Sequence, residues 1–411
     1  MTAPSPVPYP DLVEVHPGPA LLHGLGHGPS LSAHRARYGD LPEVDALVLK
    51  ALTHEADVRG RGGAAFPFAT KLDGVRKHSS PFKRPVVVVN LSEGEPASSK
   101  DSALALVRPH LVLDGAVAAA RALRATVVHV VLPGERALPA RQMTTAVGER
   151  DENEDGVAIE LHTAEPRFVA GQASAVIELL SGRRNLPVTA WQPAAFDGLD
   201  GRPTLLSNAE TWAHVGLLVL RGAAAYRARG TTAESGTTLL TVTGPDGRPH
   251  VHEVEFGTRL RDVLPGDAAG GAVLLGGFHG AWATWPTAAS ARVSVPGMRS
   301  LGLPLGAGVV LAPGRDACPL SWTSRIVDHL AGQSARRCGP CFNGLPALAS
   351  ALGRLDVDRV RTLVGLVERR GACAHPDGTI RLVRSLLGTL AAEVDAHLAG
   401  ACLRRPLELA S

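Results

Sequence analysis

Between Leu41 and Leu132 the apolar residues change period repeatedly, and that alternation restricts the chain to a layered α/β architecture. Leu41, Val44, Leu47, Val48 and Leu52 recur at helical spacing through Glu55. Pro85 to Asn90 holds an unbroken run of valines, Val86 to Val89, and reads as a buried strand. His110 to Ala125 is Ala-rich and amphipathic, hence helical, and Ala125 to Leu132 is a second buried strand. Short apolar strands separated by helices imply a largely parallel sheet. Ala173 to Leu180 and Asn208 to Leu220 continue the helical pattern.

At Gly236 the texture changes. Thr237 to Val242, Val251 to Phe256 and Ala272 to Leu275 read as short strands, with turns at Gly244-Pro245-Asp246-Gly247 and near Gly257. From Ser321 onward the pattern is helical again, over Ile326 to Leu330, Leu345 to Leu352, Val357 to Val367 and Leu382 to Leu398. A helical bundle is the expected closing unit. The divisions are therefore an extended leader (1–35), an α/β domain (36–230), a strand-rich domain (236–312) and a helical domain (320–411). Asp151 to Asp155 reads as a solvated acidic loop.

The formal net charge of +3 over 411 residues gives no reason to expect nucleic acid. Only five lysines occur, at positions 50, 71, 77, 83 and 100, so each draws notice. The Pro-rich start lacks the basic-then-apolar order of a signal peptide, and no apolar run reaches membrane-spanning length. A cytoplasmic protein without direct membrane insertion is expected.

Three of the five cysteines cluster: Cys338-Gly339-Pro340-Cys341, then Cys373 some thirty residues later. In a reducing compartment such thiols read as metal ligands or redox groups. Iron–sulfur clusters are normally held by four thiolates, and only three are evident. A Cys₃His zinc site is the competing reading. Cys318 and Cys402 have no neighbour in sequence and read as simple thiols, with Cys402 a remote candidate for a fourth ligand.

Other segments carry polar chemistry. Gly60, Gly62 and Gly63 let backbone N–H groups ring an anion, with Arg61 and Lys71 adding positive charge; a plain turn is the bland alternative. Asn90, Glu93 and Glu95 follow the valine strand directly, where ligands bind in open α/β sheets, although an ordinary charged loop would look the same. Gly171 lies in a strand-to-helix turn, and Ser207 or Asn208 caps the next helix whether or not a ligand is present. His110 and His375 read as structural, and Trp282 and Trp285 as core.

Taken together, these stretches resemble the family of the flavin- and NADH-binding F subunit of respiratory complex I, with its relatives in soluble hydrogenases and formate dehydrogenases. Gly60 to Pro67 is similar to the family's Gly-rich loop, with Lys71 at its lysine position. Asn90 to Asp101 is similar to its acidic segment, and Asn208-Ala209-Glu210-Thr211 to its Asn-Val-Glu-Thr. The resemblance implies an α/β domain binding flavin mononucleotide (FMN), a β-grasp (SLBB-like) middle domain and a helical-bundle domain carrying a [4Fe–4S] cluster. It implies an oxidoreductase subunit that passes electrons from a reduced donor, NAD(P)H or ferredoxin-like, through FMN and the cluster to a small ferredoxin-like or other electron-transfer subunit. The setting would be the cytoplasm or the periphery of a membrane complex. By resemblance, Gly60, Arg61, Gly62, Gly63, Lys71, Asn90, Glu93, Glu95, Gly171, Ser207 and Asn208 serve the flavin. Glu93 is the residue nearest a nicotinamide, and Cys338, Cys341 and Cys373 hold iron.

Departures from the family pattern are specific. Ala335 stands where the family's first cluster cysteine falls, Gln172-Ala173 where it has Glu-Glu, and Ser92 and Ser207 where it has Asp and Asn. Three thiolates imply a [4Fe–4S] cluster with hydroxide, His375, Ser334 or a partner's residue as fourth ligand, or else a [3Fe–4S] cluster or an empty site. Hydrogen bonds to charged groups contribute about 1.5–3 kcal/mol each. Losing two carboxylates therefore weakens NADH binding by roughly 10²–10⁴-fold. The rival readings are a degenerate scaffold used for docking or assembly, and a zinc-binding helical module.

Overall fold

The structure, a computed structural model, describes residues 13–402. Its strands form two sheets. The first strand, β1 (Glu14–Val15), belongs to the second sheet. The first sheet holds β2 (Val86–Asn90), β3 (Val127–Leu132), β4 (Ala158–Thr163) and β5 (Thr204–Asn208), all parallel, in the order β4-β3-β2-β5. Successive side chains of a strand point to opposite faces. Val87, Val89, Val128, Val130 and Leu205 enter one core, while Val86, Val88, Val131 and Leu206 enter another. Both faces of the sheet are covered, and the valine run is apolar without interruption for that reason.

The helices around this sheet are α1 (Leu31–Tyr38), α2 (Ala46–Glu55), α3 (Phe68–His78), α4 (Lys100–Val107), α5 (Pro109–Leu123), α6 (Ala137–Gly148), α7 (Glu152–Asp155), α8 (Ala173–Leu180) and α9 (Ala209–Arg227). α5 and α9 pack backbone to backbone. A Cβ at Gly115 would come within 2.0 Å of the Trp212 carbonyl oxygen, and one at Gly216 within 2.3 Å of that of Leu111. No single helix among the described residues is long and apolar enough to cross a membrane. The apolar pair α4 and α5 meets at 96° and lies within the core.

The stretch from 13 to 35 is not an extended leader. β1 pairs in parallel with the second sheet, Leu21 and Leu22 are fully buried, and α1 begins at Leu31. Glu253 holds this segment by accepting the backbone N–H groups of Ala20, Leu21 and Leu22 at 2.8–3.0 Å. A long-range carboxylate supplies order that local sequence does not encode. The remainder of the leader, residues 1–12, lies outside the described residues. The acidic run at 151–155 also differs from expectation: α7 forms there, and Asp155 is buried against Arg150 at 2.7 Å.

The second sheet contains β6 (Thr237–Thr243), β7 (Pro249–Glu255), β8 (Val273–Leu275), β9 (Ala281–Ala283) and β10 (Val309–Leu311), in the order β1-β7-β6-β10-β8-β9. β6 and β10 are parallel, whereas β6/β7, β10/β8 and β8/β9 are antiparallel. Two short helices, α10 (Trp285–Ser290) and α11 (Val295–Ser300), intervene before β10. Then follow α12 (Pro319–Gly332), α13 (Leu345–Gly353), α14 (Val357–Val367), α15 (His375–Thr389) and α16 (Ala391–Leu398). The single helix expected over 382–398 is thus two, broken at Leu390.

Pleating explains how the sheet joins this bundle. Leu274, Trp282, Val309 and Leu311 share a core with α12–α15, while Val273, Leu275, Ala281, Ala283 and Val310 face the sheet's own core. The bundle therefore rests on one face of the second sheet.

Candidate functional site

The chain runs from β2 through β3 to β4 on one side of the first sheet, then places β5 on the other side of β2. That reversal is a topological switch point, where open α/β sheets bind ligands beyond their carboxyl ends. Asn90 and Asn208 are direct register partners at this edge. Lys71, on α3, reaches the same edge, and its Nζ donates to the Leu206 carbonyl at 2.8 Å. Burial pushes its pKa down to about 8, and among the described residues no carboxylate pairs with it. Ser207 is buried and its Oγ has no hydrogen-bond partner. A largely buried cation without a counter-ion and an orphaned buried hydroxyl are costly unless a polar ligand completes them. Both features fit an anionic nucleotide seated over β2 and β5.

Other residues expected at this site are engaged elsewhere. Arg61 is buried and turned inward. Its backbone N–H donates to Thr211 Oγ1 at 2.9 Å, its guanidinium donates to the Thr237 carbonyl at 3.0 Å, and it lies 4.7 Å over the Phe256 ring. Its charge fastens the two sheets together, and the residue also lines a glycine-bordered cavity. Gly60 and Gly63 do line a cavity of about 300 Å³, bounded also by Glu210, Gly306, Arg299 and Arg381. Gly63, with φ +98°, faces Gly306 backbone there. A Cβ at Gly62 would meet nothing within 4 Å.

The acidic segment folds back on itself. Glu93, at φ 39°, accepts from the backbone N–H groups of Asp101 and Ser102 at 2.9 Å and pairs with Arg136 at 3.0 Å. Its side chain is 2% exposed. The carboxylate expected beside a nicotinamide therefore holds the 93–102 turn. Glu95 accepts from Ala97 and Phe278 backbone N–H groups, and burial pushes its pKa up to about 7. Lys100 bridges Asp101 at 2.9 Å and Glu210 at 3.0 Å. Arg136 comes from a separate loop, and nothing local in the sequence marks it as a partner of Glu93.

Asn90 donates through Nδ2 to the Gly171 carbonyl at 2.8 Å and accepts from Ser92 Oγ at 2.7 Å. A Cβ at Gly171 would come within 2.7 Å of Ser92 Oγ. The 90–94 turn and the Phe168–Gly171 turn are thus closely seated on each other. Phe168 then leads toward the bundle, with ring centroids 4.6 Å from His279 and 5.5 Å from His375.

In the bundle, Cys341 is buried in a π-helical turn over Pro340–Gly344, Cys338 sits just before it, and Cys373 precedes α15. π-Turns recur at functional sites. Burial, then the neighbouring Cys338 and Cys373, push the Cys341 thiol up to about 12. Metal binding would be needed to take its proton. Cys338, Cys341 and Cys373 do not form a group whose ligand atoms all lie within 4.8 Å of one another. Cys338 and Cys341 interact through their side chains, with Cys373 close enough to act on the same thiol.

Ala335, at the missing thiolate position, packs with Val169 and Leu186. His375 cannot serve as fourth ligand without losing existing bonds, since Nε2 pairs with the Leu330 carbonyl at 2.9 Å and Nδ1 with His279 at 3.1 Å. Ser334 remains, buried, with an unpartnered Oγ. Cys402 lies beside Cys318 and His397, not beside the cluster cysteines. Sequence reasoning missed that grouping because Cys318 lies some eighty residues before His397 and Cys402 in the chain.

Comparison with known proteins agrees with this geometry. Residues 53–217 match the model of the Nuo51 FMN-binding domain, and residues 321–397 that of the NADH-ubiquinone oxidoreductase-F iron-sulfur binding region. The second NADH-quinone oxidoreductase F subunit of Rhizobium meliloti (strain 1021) is 28% identical over 394 residues, covering 89% of this chain and 92% of the relative. The NADH-quinone oxidoreductase F subunit of Mycobacterium tuberculosis (strain ATCC 25618 / H37Rv) is 29% identical over 388 residues, covering 88% and 86%. Among solved structures, a chain of the NAD+-reducing [NiFe]-hydrogenase in the air-oxidized state superposes with a TM-score of 0.82 at 26% identity, covering 97% of this chain and 69% of that one. The two-layered nucleotide edge and the three-thiol bundle define a protein built for a flavin and an iron–sulfur cluster. The chain belongs to the family of NADH-quinone oxidoreductase F subunits.

Proposed function

We propose that this chain is an electron-transfer oxidoreductase subunit holding FMN at the β2/β5 edge and an iron–sulfur cluster in the bundle. The observation that carries the reading is Lys71, a largely buried cation with no counter-ion among the described residues, beside the orphaned hydroxyl of Ser207 at the switch point. When bound, the flavin and cluster supply two-electron-to-one-electron conversion and one-electron relay. Lys71 binds the nucleotide's anionic part, while Ser207, Asn208 and Asn90 orient its polar edges. Gly60, Gly62 and Gly63 allow backbone to approach it. Cys338, Cys341 and Cys373 ligate iron. Glu93, through Arg136, fixes the turn under the site as a positioning residue.

The middle sheet, over 236–312, is proposed as a β-grasp (SLBB-like) unit between an α/β domain at 36–230 and a bundle at 320–411. NADH is a poor donor in this reading, because Gln172 and Ala173 offer no carboxylate. The partner is a small ferredoxin-like or other electron-transfer subunit. Phe342, 65% exposed and adjacent in sequence to Cys341, gives it an apolar landing point next to the cysteines proposed to hold iron. A cytoplasmic location, peripheral to a larger complex, follows from this reading.

The decisive experiment is anaerobic purification with flavin and iron analysis. Bound or restorable FMN together with iron supports the proposal. A colourless protein that refuses added FMN sinks it and favours the scaffold reading. That reading draws support from the Asn90–Gly171 bond, which already occupies one polar edge of the site.

A further inference from the structure

We propose that Cys318, His397 and Cys402 form a second metal site, for a single zinc ion, that fastens the helix α16 to the start of α12. One ligand atom from each residue lies within 4.8 Å of the other two, and Cys318 Sγ is 3.0 Å from His397 Nε2. Zinc at about 2.3 Å from sulfur and about 2.0 Å from nitrogen sets its ligand atoms roughly 3.5–3.8 Å apart. The trio is therefore the right size for one ion.

The chemistry of the three groups suits the ion. Cys318 is the N-cap of the 14-residue α12, and its sulfur accepts the Ser321 backbone N–H at 3.3 Å. Binding releases the two thiol protons to solvent, and two thiolates with a neutral imidazole leave the Zn²⁺ centre without net charge. Neutrality matters because Cys318 is 2% exposed and Cys402 packs against the bundle's apolar cluster. Among the described residues no fourth His, Cys or carboxylate joins the group. The half-buried side of His397 and Cys402 leaves the fourth position to water.

The fold gives such a clip a purpose. α16 has only eight residues and is cut from α15 at Leu390. A helix that short does not hold itself together in water. An ion joining its last turn to α12 closes a loop of some eighty residues, and with it the bundle.

The test is metal analysis of the full chain, purified anaerobically with reductant and zinc in the medium. Wild type should carry zinc equimolar with protein. Cys318→Ser and Cys402→Ser should each abolish it while iron and flavin contents stay unchanged. His397→Gln, which keeps both thiols and the packing, should lower zinc affinity by at least tenfold in a chelator competition and leave the far-ultraviolet circular dichroism intact. Zinc absent from wild type overturns the proposal, as does zinc that survives these substitutions but leaves with Cys338→Ser or Cys341→Ser. A Cys318–Cys402 disulfide in non-reducing peptide maps of the anaerobic protein overturns it equally. Because zinc is read independently of flavin and iron, the outcome stands whether or not the redox reading does.

Discussion

The side chain of Gln172 lies close enough to Cys373 to offset part of the upward pull of burial on its thiol, linking the turn beside the flavin edge to a cysteine proposed to hold iron. The family resemblance points Gln172 toward a dinucleotide; the fold points it toward the cluster. Burial raises the Cys373 thiol pKa, and the Gln172 contact pulls it back. In iron-free protein, Gln172→Ala should therefore slow alkylation of Cys373 at neutral pH. Gln172→Glu should slow it further, because a carboxylate opposes the thiolate. Rates read by mass spectrometry across a pH series decide this, and an unchanged profile in both variants would remove Gln172 from the cluster environment.

Lys71 gives a prediction with a definite sign. Its pKa is about 8 in the folded protein against an ordinary 10.5, with burial as the cause. The unfolded chain binds more protons between those values, so flavin-free protein gains stability as pH rises through that window, and the penalty is complete below about pH 8. Removing the charge relieves a penalty of about 3 kcal/mol. Leaving the Leu206 carbonyl without its donor costs about 1–2 kcal/mol in return. Lys71→Met should thus stabilise the flavin-free protein by about 1–2 kcal/mol at pH 7 and flatten the gain between pH 8 and 10, while FMN affinity falls by about 10²-fold or more. Urea melts at several pH values with FMN titrations check both arms, and a variant that binds FMN as wild type does would take Lys71 out of the site.

Glu93 is a structural keystone in this geometry. Glu93→Gln leaves the Arg136 guanidinium buried without its carboxylate, which costs about 3–5 kcal/mol. Arg136 and Lys100 outweigh the large effect of burial and hold the Glu93 pKa below its usual value. Its stabilising effect is present above the ordinary carboxylate pKa and is lost as pH falls through the lowered one. Denaturant unfolding at pH 7 should show the deficit. A variant as stable as wild type but slow with substrate would return Glu93 to a reacting role.

Much of this architecture was legible in the sequence, and the failures share a cause. Val86–Asn90, Ala173–Leu180 and Val357–Val367 were readable because local periodicity alone decides them. The carboxyl end of β2 was legible from a strand ending in Asn90, whereas β4 and β5 were not read as strands. What local pattern could not show was which distant group satisfies a given side chain. Glu253 orders residues 20–22, Arg136 captures Glu93, and Thr237 captures Arg61. Two of these invert readings made from neighbours in sequence, since the leader packs and a presumed reactive carboxylate supports a turn, while Arg61 ties two sheets as well as lining the cavity beside Gly60 and Gly63. The Cys318–His397–Cys402 grouping escaped for the same reason, since Cys318 meets His397 and Cys402 only when the bundle closes.

Ala335 offers the sharpest probe of the cluster. Its Cβ sits in a niche formed with Val169 and Leu186, and it is 9% exposed. One added sulfur there is a modest overpacking, costing about 1 kcal/mol, and the side chain is within the segment that carries Cys338. Ala335→Cys should raise iron from three toward four atoms per chain if three thiolates alone now hold the cluster. An oxidised three-iron cluster has an odd number of ferric ions and is paramagnetic, whereas an oxidised four-iron cluster with two ferric and two ferrous ions pairs its spins. The substitution should therefore erase the electron paramagnetic resonance signal of the oxidised protein. Ser334→Ala separates the remaining alternative: its buried hydroxyl has no protein partner. If that oxygen already completes a four-iron cluster, Ser334→Ala converts the silent oxidised state into a paramagnetic one and Ala335→Cys changes neither iron content nor spectrum.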